Sequence, residues 1–88
     1  MIKRTVKIIN SLGLHARPCT MLVKTSTRFR SDFKLRKDDI TVNGKSIMGV
    51  MTLAAEMGSE LELIVDGVDE ESLLLEILEL FQSKFGEE

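Results

Sequence analysis

The residues of this chain best suited to chemistry stand near its N-terminus, where the single histidine, His15, is followed by Arg17 and by the single proline, Pro18. Because proline is favoured in the first turn of a helix, this spacing predicts that His15 lies where a helix begins. A helix start offers unpaired backbone N–H groups and the positive end of the helix dipole, so it attracts anions such as phosphate. An imidazole placed there can act as a nucleophile and hold a transferred group covalently. The pattern therefore predicts a phosphohistidine site.

The neighbours of His15 favour this reactive role over a simpler one. A lone histidine in a small domain is more often a surface or capping residue than a reactive one. Here, however, Gly13 allows the backbone angles of a tight turn, and Leu14 is expected to anchor that turn in the core. Arg17 supplies a permanent charge and a planar set of donors that suits phosphate oxygens.

The composition is that of one small globular domain covering residues 1–88, with 43% hydrophobic and 30% charged residues. The sequence contains no apolar run long enough to span a bilayer and no hydrophobic signal-peptide stretch. We therefore expect a cytoplasmic protein that has no membrane partner. A single cysteine excludes an internal disulfide framework, which agrees with a reducing compartment.

Charge is unevenly distributed along the chain. Residues 1–45 hold 11 of the 12 basic and 3 of the 14 acidic residues, whereas residues 46–88 hold 1 and 11. One expectation is a basic face that attracts an acidic or phosphorylated partner. The alternative is ordinary solvated surface, in which the two halves interleave within the fold.

Periodicity predicts the element order βαββαβα. The predicted strands are 2–9, a hairpin of 33–35 with 40–42, and 61–65; the predicted helices are 16 to about 28, 47 to about 53, and about 70–85. Ser46 and Asp69 are expected to cap the second and third helices, and Gly86 to end the third. The apolar stripe of the last helix contains Leu74, Ile77, Leu78, Phe81 and Phe85. This order predicts an α+β open-faced sandwich, with helices on one face of a four-stranded antiparallel sheet.

Two blocks of sequence resemble the HPr family, the histidine-containing phosphocarriers of the bacterial sugar phosphotransferase system. The first block, Gly-Leu-His-Ala-Arg-Pro-Cys at 13–19, is similar to the active-site signature of that family. The second, Lys-Ser-Ile-Met-Gly-Val-Met at 45–51, is similar to its regulatory-serine region. Length, element order and the separation of the blocks also match, so the resemblance covers essentially the whole chain.

The resemblance implies that His15 accepts a phosphoryl group from phospho-Enzyme I, usually on Nδ1, and passes it to an Enzyme IIA domain. Arg17 would stabilise the phosphate. The motif contains no metal site and no general base, so the protein is expected to be a carrier without cofactor or metal and not an enzyme. The family also implies that Ser46 is phosphorylated by HPr kinase/phosphorylase, besides its simpler role as a helix cap. A carrier that meets several partners is expected to be a monomer.

The docking surface expected for these partners draws on the first two helices. Its predicted members are Met21, Lys24, Arg28, Ile47, Met48 and Met51. Exposed methionines form adaptable surfaces that suit several partners, and ordinary core packing is their alternative. The charged members are alternatively plain surface residues.

Cys19 departs from the family signature, which usually has another small residue there. Its expected role is packing, because free cysteines usually behave as small buried hydrophobes. Sensitivity to oxidation beside His15 is the alternative. His15 and Cys19 together are too few ligands for a structural zinc site.

Other functions are also compatible with parts of the pattern. Within the family, these are a phosphocarrier of the nitrogen-related branch and a mainly regulatory protein. Outside it, a small βαββαβ module with a basic first half could bind RNA on its sheet. However, the chain has no Trp or Tyr, and Phe29 and Phe33 do not sit in an RNP-type pattern, so we expect no nucleic-acid partner.

Overall fold

The computed structural model describes residues 1–87 as four strands, three α-helices and a short 3₁₀ turn. The strands are β1 (Ile2–Lys7), β2 (Asp32–Lys37), β3 (Ile40–Asn43) and β4 (Glu60–Asp66). The helices are α1 (Ala16–Ser26), α2 (Ile47–Met51) and α3 (Glu70–Gln82), and the 3₁₀ turn is Lys84–Gly86. The predicted order βαββαβα is therefore confirmed.

The four strands form one antiparallel sheet in the order β1-β4-β2-β3. Leu63 of the inner strand β4 lies opposite Arg4 of β1 and Leu35 of β2. Along β4, Leu61, Leu63 and Val65 are buried while the residues between them are not. Such alternation is typical of a sheet that is covered on one face only. The predicted α+β open-faced sandwich is confirmed.

The hydrophobic core lies between the covered face of the sheet and the helices. Leu22 of α1, Leu35 of β2, Leu63 of β4 and Ile77 of α3 are each fully buried. Burial of a side chain of this size contributes about 1.5–3 kcal/mol. Because α1 packs against both α2 and α3, the core holds the N-terminal part of the chain in a defined position relative to both.

Opposite charges alternate across the sheet. The acidic strand β4 lies between the basic strands β1 and β2, so that Glu60 lies opposite Lys7, and Glu62 lies opposite Arg36. Arg36 Nε donates a hydrogen bond to Glu62 Oε1 at 3.2 Å. On the sheet, the basic and acidic halves of the sequence thus interleave and do not form two poles.

The predicted last helix, 70–85, is wrong at its C-terminal end. Helix α3 stops at Gln82, and Lys84 and Phe85 both take a φ of 56°, in the left-handed region. The Phe85 ring is nonetheless fully buried, edge-on to Phe81 with 4.9 Å between ring centroids. Phe85 therefore reaches the core through a left-handed turn. Its spacing from Phe81 is the same as that of a residue one helical turn further on, which is why the sequence predicted a longer helix.

Three other elements end earlier than predicted. The first strand and the first two helices end at Lys7, Ser26 and Met51, two residues before the predicted ends. After β1, the chain keeps contact with the turn before β4: Ile8 N–H donates to Ser59 O at 2.9 Å and Ile8 O accepts from Gly58 N–H at 2.8 Å. Since α1 ends at Ser26, Arg28 lies beyond the helix that the sequence predicted to include it.

Of the two predicted caps, one is confirmed in full. Ser46 is the N-cap of α2, and its hydroxyl accepts from Gly49 N–H at 3.1 Å. Asp69 occupies the N-cap position of α3, but its side chain makes no capping bond. Instead, Glu70 Oε1 accepts from Gly67 N–H at 3.0 Å, while the Asp69 carboxylate turns to the loop before β2.

Candidate functional site

His15 is the N-cap residue of α1, as the sequence predicts. Its backbone is extended (φ −81°, ψ −172°), and its carbonyl accepts the first helical bond, from Cys19 N–H, at 3.1 Å. Pro18 lies buried in the first turn, where its missing N–H costs no hydrogen bond. The N–H groups of Ala16 and Arg17 are in the first turn too, so no helical carbonyl is available to them. The helix start thus presents donors beside the imidazole.

The turn before His15 is held against the segment that precedes β4. Leu14 N–H donates to Ala55 O at 2.9 Å, and the Leu14 side chain is buried as expected. Gly13 has a φ of 68°, and a Cβ there would lie 2.5 Å from Ala55 O. Asn10 Nδ2 donates to Gly13 O at 2.8 Å. The backbone that carries His15 is therefore fixed by contacts that require a glycine at position 13.

The His15 ring is accessible and has one hydrogen-bond partner among residues 1–87. The His15 side chain is 35% exposed, and Nε2 lies 2.6 Å from Glu87 Oε2. The Arg17 side chain is exposed on the first turn of α1. The His15 imidazole is thus open to solvent at a helix start, with the Arg17 side chain exposed two residues further on, and groups of these types can receive and stabilise a phosphate.

Glu87 is a member of this site that sequence reasoning missed. Burial raises the pKa of its carboxyl group, but hydrogen bonds with Asn10 and His15, together with the charges of His15 and Arg17, outweigh that effect. The net pKa of Glu87 therefore lies below its usual value, and the group is a carboxylate at neutral pH. No local motif points to it, because the contact depends on the chain reversal after α3.

Cys19 is fully buried, in agreement with its expected packing role. Its Sγ donates to Leu14 O at 3.4 Å, and burial raises the pKa of the thiol. A raised pKa disfavours the thiolate, which is the reactive form of cysteine. In the part of the chain that the structure describes, no three His, Cys, Asp or Glu side chains are grouped so as to hold a metal ion.

Most of the predicted docking residues are exposed near the packed pair α1 and α2. Ile47, Met48 and Met51 are 40%, 79% and 44% exposed, so core packing does not account for them. On α1, Lys24 is exposed, and Met21 is half-buried against the core.

Arg28 is placed differently from the other predicted docking residues. It lies beyond the C-terminal end of α1, forms an ion pair with Glu76 of α3 and lies over the Phe29 ring, 5.7 Å from its centroid. Arg28 thus contacts α3 at the end of α1 opposite to His15.

Comparison with known proteins agrees with this geometry. Residues 2–83 match the family model described as PTS HPr component phosphorylation site. The chain is 52% identical to the phosphocarrier protein HPr of Treponema pallidum, with both chains covered completely. A crystal structure of HPr from Thermoanaerobacter tengcongensis superposes with a TM-score of 0.96 at 43% identity, covering 100% of this chain and 99% of that one.

A second crystal structure from the same organism, described as an HPr dimer, has a TM-score of 0.79 at 42% identity and covers 99% of this chain and 100% of that one. The family match spans nearly the whole chain, and the relatives match it from end to end. This chain belongs to the HPr family, the phosphocarriers of the phosphotransferase system.

Proposed function

We propose that this protein carries a phosphoryl group on His15, accepting it from phospho-Enzyme I and passing it to Enzyme IIA domains. The observation that carries the proposal is the accessible imidazole at the N-terminus of α1, with Arg17 on the first turn. Family membership supports the carrier role in general, and the position of His15 supports this residue as the acceptor.

The site is suited to holding a phosphate without binding it too strongly. The N–H groups at the start of α1 and the Arg17 guanidinium can donate to its oxygens, which stabilises the added charge. Because the site is open to water, this stabilisation is moderate and the P–N bond remains transferable. No general base or metal ion is required of this chain, so the partners supply most of the catalysis. The protein acts as a carried intermediate and not as an enzyme.

Phosphorylation by Enzyme I with labelled phosphoenolpyruvate tests the acceptor. Wild type is expected to acquire an acid-labile label, as a phosphohistidine does, and His15→Ala is expected to acquire none. Arg17→Ala should be labelled more slowly by about tenfold, since it lacks one charge-assisted contact to phosphate. A label that persists in His15→Ala would reject His15 as the acceptor.

Protein partners are proposed to dock on the exposed apolar side chains of Ile47, Met48 and Met51, with Met21 and Lys24 alongside. The fit of methionine side chains to different surfaces suits a carrier that must meet a donor and several acceptors. Arg28, also predicted to dock, pairs with Glu76 of α3, which supports a smaller contribution from it. Met48→Asp should weaken transfer from Enzyme I more than Arg28→Ala does.

Ser46 is proposed to be a regulatory site phosphorylated by HPr kinase/phosphorylase. Its hydroxyl lies at the start of α2, next to the exposed Ile47 and Met48. A phosphate there adds negative charge to the docking surface, which would oppose an acidic partner. Incubation with the kinase and ATP should label wild type and leave Ser46→Ala unlabelled.

The monomeric state and the cytoplasmic location belong to the same proposal. No helix of residues 1–87 combines the length and the apolar character needed to cross a membrane. A single species at the monomer mass in light scattering is expected; a dimer, as in the related T. tengcongensis crystal structure, would contradict it. RNA binding has no support from the fold, since Phe33, Phe81 and Phe85 are buried and unavailable for stacking.

A further inference from the structure

The end of the chain returns to His15 through a folded turn. Lys84 and Phe85 have a φ of 56° and Gly86 has a φ of 74°, so three successive left-handed residues reverse the chain after α3. The buried Phe85 ring anchors this turn in the core. As a result Glu87, which is 72 residues from His15 in sequence, lies 2.6 Å from its ring. The Glu87 side chain is only 14% exposed.

Both oxygens of the Glu87 carboxylate have a defined partner. Oε2 faces His15 Nε2, and Oε1 accepts from Asn10 Nδ2 at 3.1 Å. Asn10 is buried, and its Nδ2 also donates to Gly13 O at 2.8 Å. This second bond identifies the atom facing Glu87 as the amide nitrogen, because an amide oxygen there would face the oxygen of Gly13. Asn10 therefore presents a donor to the carboxylate, and this donor cannot turn into an acceptor.

These contacts decide which ring nitrogen of His15 carries the proton. An ionised carboxylate only accepts hydrogen bonds, so the nitrogen that faces it must be an N–H. A neutral imidazole has one N–H and one lone pair, and its tautomer is set by the bond that the N–H makes. The proton is therefore on Nε2 and the lone pair on Nδ1.

We propose that Glu87 is a positioning residue for phosphoryl transfer: oriented by Asn10, its carboxylate holds the His15 proton on Nε2 and leaves Nδ1 free to attack phosphorus. This inference rests on the proposed phosphocarrier function and extends it to a residue beyond the segment 2–83 that the family model matches. A carboxylate that holds an imidazole in its reactive tautomer acts in the same way in serine-protease triads.

The transfer step follows from this arrangement. The Nδ1 lone pair forms the new P–N bond while the bond between phosphorus and the donor protein breaks, and its electron pair leaves with the donor. The proton stays on Nε2 throughout. The ring gains positive charge as Nδ1 is phosphorylated, and the Glu87 carboxylate next to Nε2–H balances that charge.

The substitution Glu87→Gln distinguishes positioning from simple packing. Glutamine keeps the shape of the side chain but has one oxygen and one NH₂ group. Because Asn10 Nδ2 must find the oxygen, the NH₂ group would face Nε2 of His15, which must then accept. The ring proton would move to Nδ1 and block the nucleophile. Glu87→Ala removes both contacts, so the ring is free to hold its proton on either nitrogen.

Two measurements on the full chain test this. The first is the ¹⁵N spectrum of the His15 ring at about pH 8, where ordinary histidines are neutral. Wild type should show Nε2 as N–H and Nδ1 unprotonated, Glu87→Ala a mixture, and Glu87→Gln the reversed assignment. The second is the second-order rate constant for phosphorylation by phospho-Enzyme I. We expect it to fall about tenfold in Glu87→Ala and about a hundredfold in Glu87→Gln.

The control is Glu79→Gln, which makes the same carboxyl-to-amide change at an exposed residue of α3 and should leave both measurements as in wild type. Wild-type ring ¹⁵N shifts in Glu87→Gln would overturn the inference, as would equal effects of Glu79→Gln. A reversed tautomer with an unchanged rate would also overturn the role in transfer. The spectra require no Enzyme I, so a wild-type protein that shows the Nε2–H tautomer but takes no phosphate would reject the carrier function and not the Glu87–His15 contact.

Discussion

Asp69 and Ser31 are joined by three hydrogen bonds where the chain enters α3 and β2. Asp69 Oδ1 accepts from the Ser31 backbone N–H at 2.9 Å and from its hydroxyl at 2.5 Å, and Ser31 Oγ accepts from Asp69 N–H at 3.2 Å. Asp69 Oδ2 also accepts from Arg30 N–H at 3.0 Å. One carboxylate thus satisfies the backbone of the loop between α1 and β2.

Stability at low pH should depend on Asp69. The hydroxyl bond from Ser31 and the backbone bond from Arg30, opposed by desolvation, lower the pKa of Asp69 from 3.8 to about 2. Since the folded-state pKa lies below the unfolded one, the stabilisation is complete above pH 3.8 and is lost as pH falls through about 2. In urea unfolding at a series of pH values, the wild-type midpoint should fall across this range, and the fall should be smaller in Asp69→Asn.

Asp39 provides the control. It is exposed in the turn between β2 and β3, and within residues 1–87 its carboxylate accepts no hydrogen bond that asparagine would lose. Asp39→Asn should retain the wild-type pH dependence. Identical slopes for wild type and Asp69→Asn would show that the Asp69 bonds are not maintained in solution.

Gly67 should not tolerate a side chain. It has a φ of 156°, and an added Cβ would lie 2.5 Å from Ser31 Oγ and 2.6 Å from Ser31 Cα. We expect Gly67→Ala to lower the free energy of unfolding by about 2 kcal/mol or more, because both the backbone angle and the contact are unfavourable. Gly58, with a φ of 91° and open space around its Cβ position, isolates the backbone effect. Gly58→Ala should cost about 1 kcal/mol, and equal losses in urea unfolding would argue against the clash at Ser31.

Substitutions at Ser46 should distinguish its role as a helix cap from the effect of negative charge at this position. Ser46→Ala removes the acceptor for Gly49 N–H and should lower the free energy of unfolding by about 1 kcal/mol. Aspartate and asparagine both retain a capping oxygen, but only aspartate adds charge beside Ile47 and Met48. We therefore expect near-wild-type stability in Ser46→Asp and Ser46→Asn, and a fall of about tenfold in phosphorylation by Enzyme I in the former alone. Equal rates in the two variants would contradict the electrostatic mechanism.

Cys19 should be unreactive while the protein is folded. Its side chain is fully buried and burial raises the pKa of its thiol, so reaction with an aromatic disulfide requires local opening. We expect the native thiol to react about a hundredfold more slowly than the thiol in urea. Peroxide treatment should leave phosphoryl acceptance by His15 intact. A loss of acceptance that a reductant reverses would instead support the redox alternative.

Much of this protein is determined by local sequence. Apolar and polar residues alternate in 61–65, and apolar residues recur at helical spacing from Ala16 onward. Each pattern specifies an element whose apolar side must be buried, so the order of the elements and the fold class follow from the sequence. The placement of His15 is local as well, because Pro18 and the N-cap geometry are determined within a few residues. The element ends were less well predicted, since local patterns do not show where a tertiary contact outweighs a continued helix, as Phe85 illustrates.

Only the tertiary structure decided which distant groups complete the site and the loops. Glu87 reaches His15 across 72 residues, and Asp69 reaches Ser31 across 38. Neither partner is identifiable from its neighbours in sequence, because a carboxylate has the same local signal whether it is solvated or accepts a buried hydrogen bond. The packing of the core sets these distances, and with them the tautomer of the histidine; the local sequence sets only the position of the histidine at the start of a helix.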